Sequence, residues 1–148
     1  MPRSVDLAVI SDVHLGTPSC KAEALLGYLD DLRPAELVLN GDIVDLRELR
    51  RGFWPAAHTE VMRRLLAFAA DGVPVHYVTG NHDHVLRLFS SFKAGSIHLV
   101  DHLERNLGGR RTWFLHGDLI EKGMGTPALL RAAGCVAYKL LRGAERAN

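Results

Sequence analysis

Four short apolar runs in this chain end the same way, each on a small cluster of carboxylate, imidazole or amide side chains. Residues 5–10 lead into Asp12-Val13-His14, and residues 37–39 into Asn40-Gly41-Asp42. Residues 75–78 lead into Gly80-Asn81-His82-Asp83, and residues 112–115 into His116-Gly117-Asp118. Short runs of this kind suit strands buried on both faces. Between them lie helical patterns. Leu25, Leu26, Leu29 and Leu32 recur at helical spacing, with Pro34 expected to end that helix. Thr59 is expected to cap a second helix carrying Val61, Met62, Leu65, Leu66, Phe68 and Ala69 as far as Asp71-Gly72. A short helix over residues 85–92 and a strand over residues 97–100 complete the pattern.

Strands that alternate with helices imply parallel pairing and an α/β layered fold. Ligands bind such sheets beyond the carboxyl ends of the strands. Singly, each polar cluster has an ordinary structural explanation, since Gly-Asp is an everyday turn and a lone histidine is more often hydrogen-bonded than a ligand. Their repetition directly after strands, about 30 to 40 residues apart as successive βαβ units require, points instead to one shared site.

The donor types narrow its chemistry. Carboxylate, imidazole and amide oxygen suit Mn²⁺, Fe²⁺ or Zn²⁺ and exclude a thiolate site. Two metals about 3.5–4 Å apart need a shared anion, and one carboxylate spans that distance. Asp42 lies on a central strand, between the other clusters in sequence, and is the candidate bridge. Gly41, Gly80 and Gly117 beside the ligands permit tight turns and close approach.

Composition adds bounds. At 148 residues the chain has room for one domain and one sizeable core. Its net charge of +1 argues for neither nucleic acid nor an acidic partner. Cys20 and Cys135 make no disulfide framework and read as small buried hydrophobes in helix-like stretches. No signal region precedes the first strand, and no apolar run spans a bilayer, so the expected place is the cytoplasm.

The series Asp-x-His, Gly-Asp, Gly-Asn-His-Asp and a later histidine resembles the calcineurin-like metallophosphoesterases. The resemblance implies an α/β fold of the αββα sandwich type with two divalent ions, foremost Mn²⁺, with Fe²⁺ or Zn²⁺ as alternatives. It implies that Asp12 and His14 hold one metal, that Asp42 bridges, and that Asn81 and His116 hold the second. His82 then sits over the phosphoryl group, and Asp83 orients His82 through its other ring nitrogen. The implied reaction is in-line hydrolysis by a hydroxide that the two cations activate, with no protein nucleophile.

The stretches 11–17, 41–45 and 115–118 are similar to UDP-2,3-diacylglucosamine diphosphatase relatives. That branch cleaves a nucleotide-sugar lipid at its pyrophosphate in lipid A assembly, at the inner face of the membrane. His82 stands where the best-known members carry arginine, which places the chain in the wider set around them. Arg47, Arg50 and Arg51, just past the bridging motif, are then candidates to meet substrate phosphates or lipid head groups. The expected partner is an anionic phosphoester or nucleotide-sugar lipid, with peripheral contact to the inner membrane face. The alternatives are a family phosphatase or phosphodiesterase with a soluble substrate, and an inactive metal-binding fragment.

The fragment reading comes from the family's closing Gly-x-His or Gly-His-x-His motif. None of His58, His76, His84, His98 and His102 has that context. The resemblance covers nearly all of this chain, read as a single metallophosphoesterase domain over residues 1–148, but only the first part of a family member. The chain is therefore expected to be a C-terminally truncated form with an incomplete second sheet, leaving strand edges open. Residues 124–148 are expected to form an amphipathic helical segment, with Leu129, Leu130, Val136, Tyr138, Leu140 and Leu141 among Arg131, Lys139 and Arg142. In the resembling branch this region begins a helical insert over the site. A helix packed on its own core fits the pattern equally well.

Overall fold

Strand β1 (Arg3–Ile10) shows how the layers are sorted: Ala8 and Ile10 enter one apolar cluster, while Leu7, next to Ala8, enters another. This period of two is the ordinary alternation of a pleated strand. Strands β2 (Leu32–Asn40) and β3 (Val75–Val78) repeat it, with Leu37, Leu39 and Val75 on the first side and Val38 and Val78 on the second. The structure is a computed structural model and describes residues 2–123, the last three by backbone alone.

Helices α1 (Ala22–Asp31) and α3 (Ala56–Ala70) cover the first side through Ala22, Leu29, Val61 and Leu65. A fully buried Leu, Val or Ile stabilises the fold by roughly 1.5–3 kcal/mol, so this cluster is its main source of stability. The main sheet runs β1-β2-β3-β5-β4, with β5 (Ile97–Val100) parallel to its neighbour and β4 (Lys93–Ala94) antiparallel. Strands β6 (His102–Leu107) and β7 (Arg110–Leu115) form a separate antiparallel pair. Leu103 and Phe114 of that pair pack on Val38 and Val78, on the side away from the helices. The result is the α/β sandwich expected, with a parallel-rich main sheet and a small second one.

The elements depart from sequence expectation in several places. Helix α1 ends at Asp31, and Pro34 lies inside β2. It is tolerated because β3 joins β2 only from Leu37 onward, so at Pro34 the strand is paired on one side alone. Helix α3 starts three residues before Thr59, after Pro55, and Thr59 instead accepts the indole N–H of Trp54 at 3.0 Å. The helix expected over 85–92 is a 3₁₀ helix, His84–Phe89. Strand β6 was not anticipated, because its residues are mostly polar. Its signal was the turn Gly108-Gly109, where both residues have positive φ, as a two-residue hairpin loop requires.

Residues 1–116 form one compact unit and 117–148 a second, of which helix α4 (Gly117–Gly123) is described. Cys20 is half-buried against the core, while Cys135 and the amphipathic stretch 124–148 lie outside the described residues. No described helix is long and apolar enough to cross a membrane.

Candidate metal centre

The loops after β1 and β2 are zipped together by their backbones. The amides of Asp12, His14 and Leu15 donate to the carbonyls of Gly41, Asp42 and Ile43 at 3.1, 2.9 and 2.9 Å, and Asp45 N returns a bond to Leu15 O at 2.8 Å. Within this zipper Asp12, His14 and Asp42 adopt φ of 54°, 53° and 54°. Left-handed backbone in non-glycine residues costs about 1–3 kcal/mol each and survives only where the surroundings enforce it. Three of the residues singled out as ligands carry that strain.

Asp42 is the centre of the arrangement. It is 3 % exposed, and its Oδ1 accepts the backbone N–H of His82 at 2.8 Å. Its Oδ2 lies 3.8 Å from His14 Nε2 and 3.5 Å from His116 Nε2, so one carboxylate oxygen faces a histidine on either side. His116, at the end of β7, also has Nε2 3.0 Å from Asn81 Oδ1. Arg105 of β6 fastens the hairpin carrying His116 to the sheet. Its guanidinium meets Glu36 Oε1 at 2.6 Å and His76 Nε2 at 3.0 Å.

Close approach is possible only because two residues lack side chains. A Cβ on Gly80 would overlap the backbone N and Oδ1 of Asp42, and one on Gly41 would overlap the ring of His116. Gly41 also has φ +81°.

Histidine and carboxylate atoms that converge within 4.8 Å form two groups among the described residues: His14, Asp42 and His82, and Asp12, Asp42 and His116. Asp42 is common to both. A family model described as calcineurin-like phosphoesterase matches residues 5–141. The chain belongs to that family. No curated protein matches it.

The calcineurin-like phosphoesterases are metal-dependent hydrolases with a dinuclear centre, and the donors here fit one. Two triads of nitrogen and oxygen donors share one buried carboxylate. His14 Nδ1 is also buried without a hydrogen-bond partner. Such groups are rare in a finished interior unless something else binds them.

In this phosphoesterase the two groups cut across the motifs. Asp12 converges with His116, and His14 with His82, whose ring meets that of His14 edge-on at 4.7 Å.

The role given to Asp83 is corrected. Asp83 is fully buried and accepts from Gly80 N, from Ile43 N at 3.1 Å and from the Tyr77 hydroxyl at 2.7 Å. These donors occupy its carboxylate and turn it away from the neighbouring His82. Burial and the Asp83 charge push the Tyr77 hydroxyl far up, so it stays a donor. Asp83 braces the loops.

The carboxylate that meets His82 is Asp45, which no motif singled out. Asp45 Oδ2 lies 2.7 Å from His82 Nδ1 and 3.6 Å from His14 Nδ1. Asp45 Oδ1 caps helix α2 (Leu46–Leu49), accepting from Arg47 N at 3.1 Å and Glu48 N at 3.0 Å. Burial pushes its carboxyl up, but the Glu48 amide and the rings of His82 and His14 outweigh this and hold it below the usual value. A sequence signal existed: an Asp three residues after Asp42, immediately before a helical turn.

Of the three arginines, Arg47 reaches the site, donating to Asn81 O at 3.2 Å from an exposed position. Arg51 pairs with Glu48 at 2.7 Å, and Arg50 is exposed.

Proposed function

We propose that this metal-dependent phosphoester hydrolase cleaves phosphoester or pyrophosphate bonds at the Asp42 centre, with Asp12, His14, Asp42, Asn81 and His116 holding two divalent ions. The observation that carries the reading is Asp42, one buried carboxylate whose Oδ2 has His14 on one side and His116 on the other. Mn²⁺ is the metal of choice for this mix of carboxylate, imidazole and amide donors. When bound, such a pair lowers the pKa of water and neutralises charge on the phosphoryl group.

The chain's own residues supply the rest. His82, half-exposed at the edge of the centre, faces the phosphoryl group and gives a proton to the leaving oxygen. Asp45 fixes its ring through the contact at Nδ1. Arg47, anchored on the carbonyl of Asn81, offers a forked donor to a second phosphate.

The substrate we propose is a nucleotide-sugar lipid of the UDP-2,3-diacylglucosamine kind, met at the cytoplasmic face of the membrane. What supports this finer reading is the resemblance of stretches 11–17 and 41–45, the Arg47 contact, and apolar side chains exposed just past His82. Those are Val85, Leu88, Phe89 and Phe92, with Leu88 82 % exposed.

The test joins metal analysis of protein purified without chelator to hydrolysis of bis-p-nitrophenyl phosphate with added Mn²⁺. Two metals per chain with turnover, both lost in Asp42→Ala, is the expected result. No metal and no turnover in the wild type sinks the reading. Preference for a UDP-linked lipid over simple phosphomonoesters separates the lipid substrate from a soluble one.

A further inference from the structure

His58 belongs to helix α3, outside both donor triads, yet it is only 2 % exposed. Its Nδ1 accepts the backbone N–H of Gly16 at 3.0 Å, a buried bond across 42 residues of chain. Phe53 and Trp54 stand edge-on to its ring, at centroid distances of 5.9 and 5.4 Å, and leave it little freedom to turn. Trp54 is tethered in turn by its bond to Thr59.

Gly16 follows the strained residues Asp12 and His14 in the same loop, and its φ of +100° suits glycine alone. The amides of Asp12, His14 and Leu15 bond instead to the loop after β2. The Gly16 amide is therefore where a hydrogen bond ties the loop to the helical layer. Burial lowers the basicity of His58, so the ring stays neutral and Nδ1 remains an acceptor. Without that acceptor a buried amide loses its partner, and the loop loses one restraint against relaxing its left-handed residues.

We propose that His58 is a positioning residue for the metal centre, clamping the Gly16 amide so that Asp12 and His14 stay in register with Asp42. The proposal rests on the dinuclear reading given above.

Two substitutions test it. His58→Leu keeps bulk and removes the acceptor, whereas His58→Asn places Oδ1 close to where Nδ1 stood. In metal-free protein, amide hydrogen exchange at Gly16 is expected to rise about tenfold in the leucine variant and to stay near wild type in the asparagine variant. In calorimetric titration with Mn²⁺ alone, the dissociation constant is expected to rise about tenfold in the leucine variant and to recover in the asparagine variant.

A leucine variant that exchanges and binds Mn²⁺ like the wild type overturns the proposal. So do two folded variants that are weakened alike, because bulk and not the acceptor would then matter. Should the leucine variant not fold, the asparagine variant decides alone: wild-type exchange and affinity support the clamp, and loss of both overturns it. A wild type that binds no Mn²⁺ overturns the dinuclear reading and this proposal with it. A wild type that binds two ions, matched by the leucine variant, overturns only the role of His58.

Discussion

Asp45 and His82, on loops that follow different strands, meet at 2.7 Å between Oδ2 and Nδ1. The same aspartate caps helix α2 through its other oxygen, so the ring is held by a group that is itself held twice. Asp45→Asn separates these two duties. Asparagine caps helices about as well as aspartate, so the melting temperature is expected to stay close to wild type. The charge beside His82 is lost, and kcat with bis-p-nitrophenyl phosphate is expected to fall about 10–100-fold with metal content unchanged. An unchanged kcat would remove Asp45 from the mechanism.

Asp83→Ala should act on stability instead. It leaves two buried amides and the Tyr77 hydroxyl without their acceptor, and each such loss costs about 1–3 kcal/mol. Urea denaturation is expected to show a loss of about 3 kcal/mol or more by that reckoning. A variant of wild-type stability would mean that the loops do not depend on this brace.

Gly80→Ala places a methyl against the backbone N and Oδ1 of Asp42, neither of which can swing aside. The loops after β2 and β3 must then part, and Mn²⁺ affinity is expected to drop at least about tenfold, as when the supports of a ligand are removed. Gly27→Ala is the control, because its added Cβ meets nothing within 4 Å. Equal Mn²⁺ affinity in both variants would show that the contact is unimportant.

Stability should depend on pH through two buried histidines. Burial lowers the basicity of His58. Burial, with the neighbouring Arg105 guanidinium, does the same for His76. The unfolded chain, with ordinary values near 6.5, then binds more protons than the folded one over the range just below that pH. Their contribution is thus present above pH 6.5 and lost as the pH falls through the lowered values, at most about 1.4 kcal/mol per pH unit for each ring. Thermal melts of chelated protein are expected to show a lower transition at pH 5.5 than at pH 7.5, about the range where imidazoles titrate. A flat profile would show that neither ring is held neutral by the fold.

The layered α/β fold and most of the centre were legible in the chain, because both depend on local pattern. A buried parallel strand needs a continuous apolar run, and the residue after it faces the ligand end of the sheet. Asp12, His14, Asp42, Asn81, His82 and His116 could therefore be singled out as candidates from position alone. Strand β6 escaped because a two-stranded ribbon with one face turned outward keeps mostly polar residues. Thr59 misled because a cap is a local preference, and the chain entering from Pro55 had already begun the helix.

What only the tertiary structure decided was which carboxylate serves which ring. Asp83 is the neighbour of His82 in sequence, but its oxygens are taken by amides of two loops and by Tyr77, so it faces inward. Asp45 is remote in sequence, and reaches His82 because the loops after β2 and β3 cross at the ends of adjacent strands. Adjacency along a chain says little about side-chain contact when the backbone turns between residues. That turn is set by hydrogen bonds to other strands, which no single stretch of sequence contains.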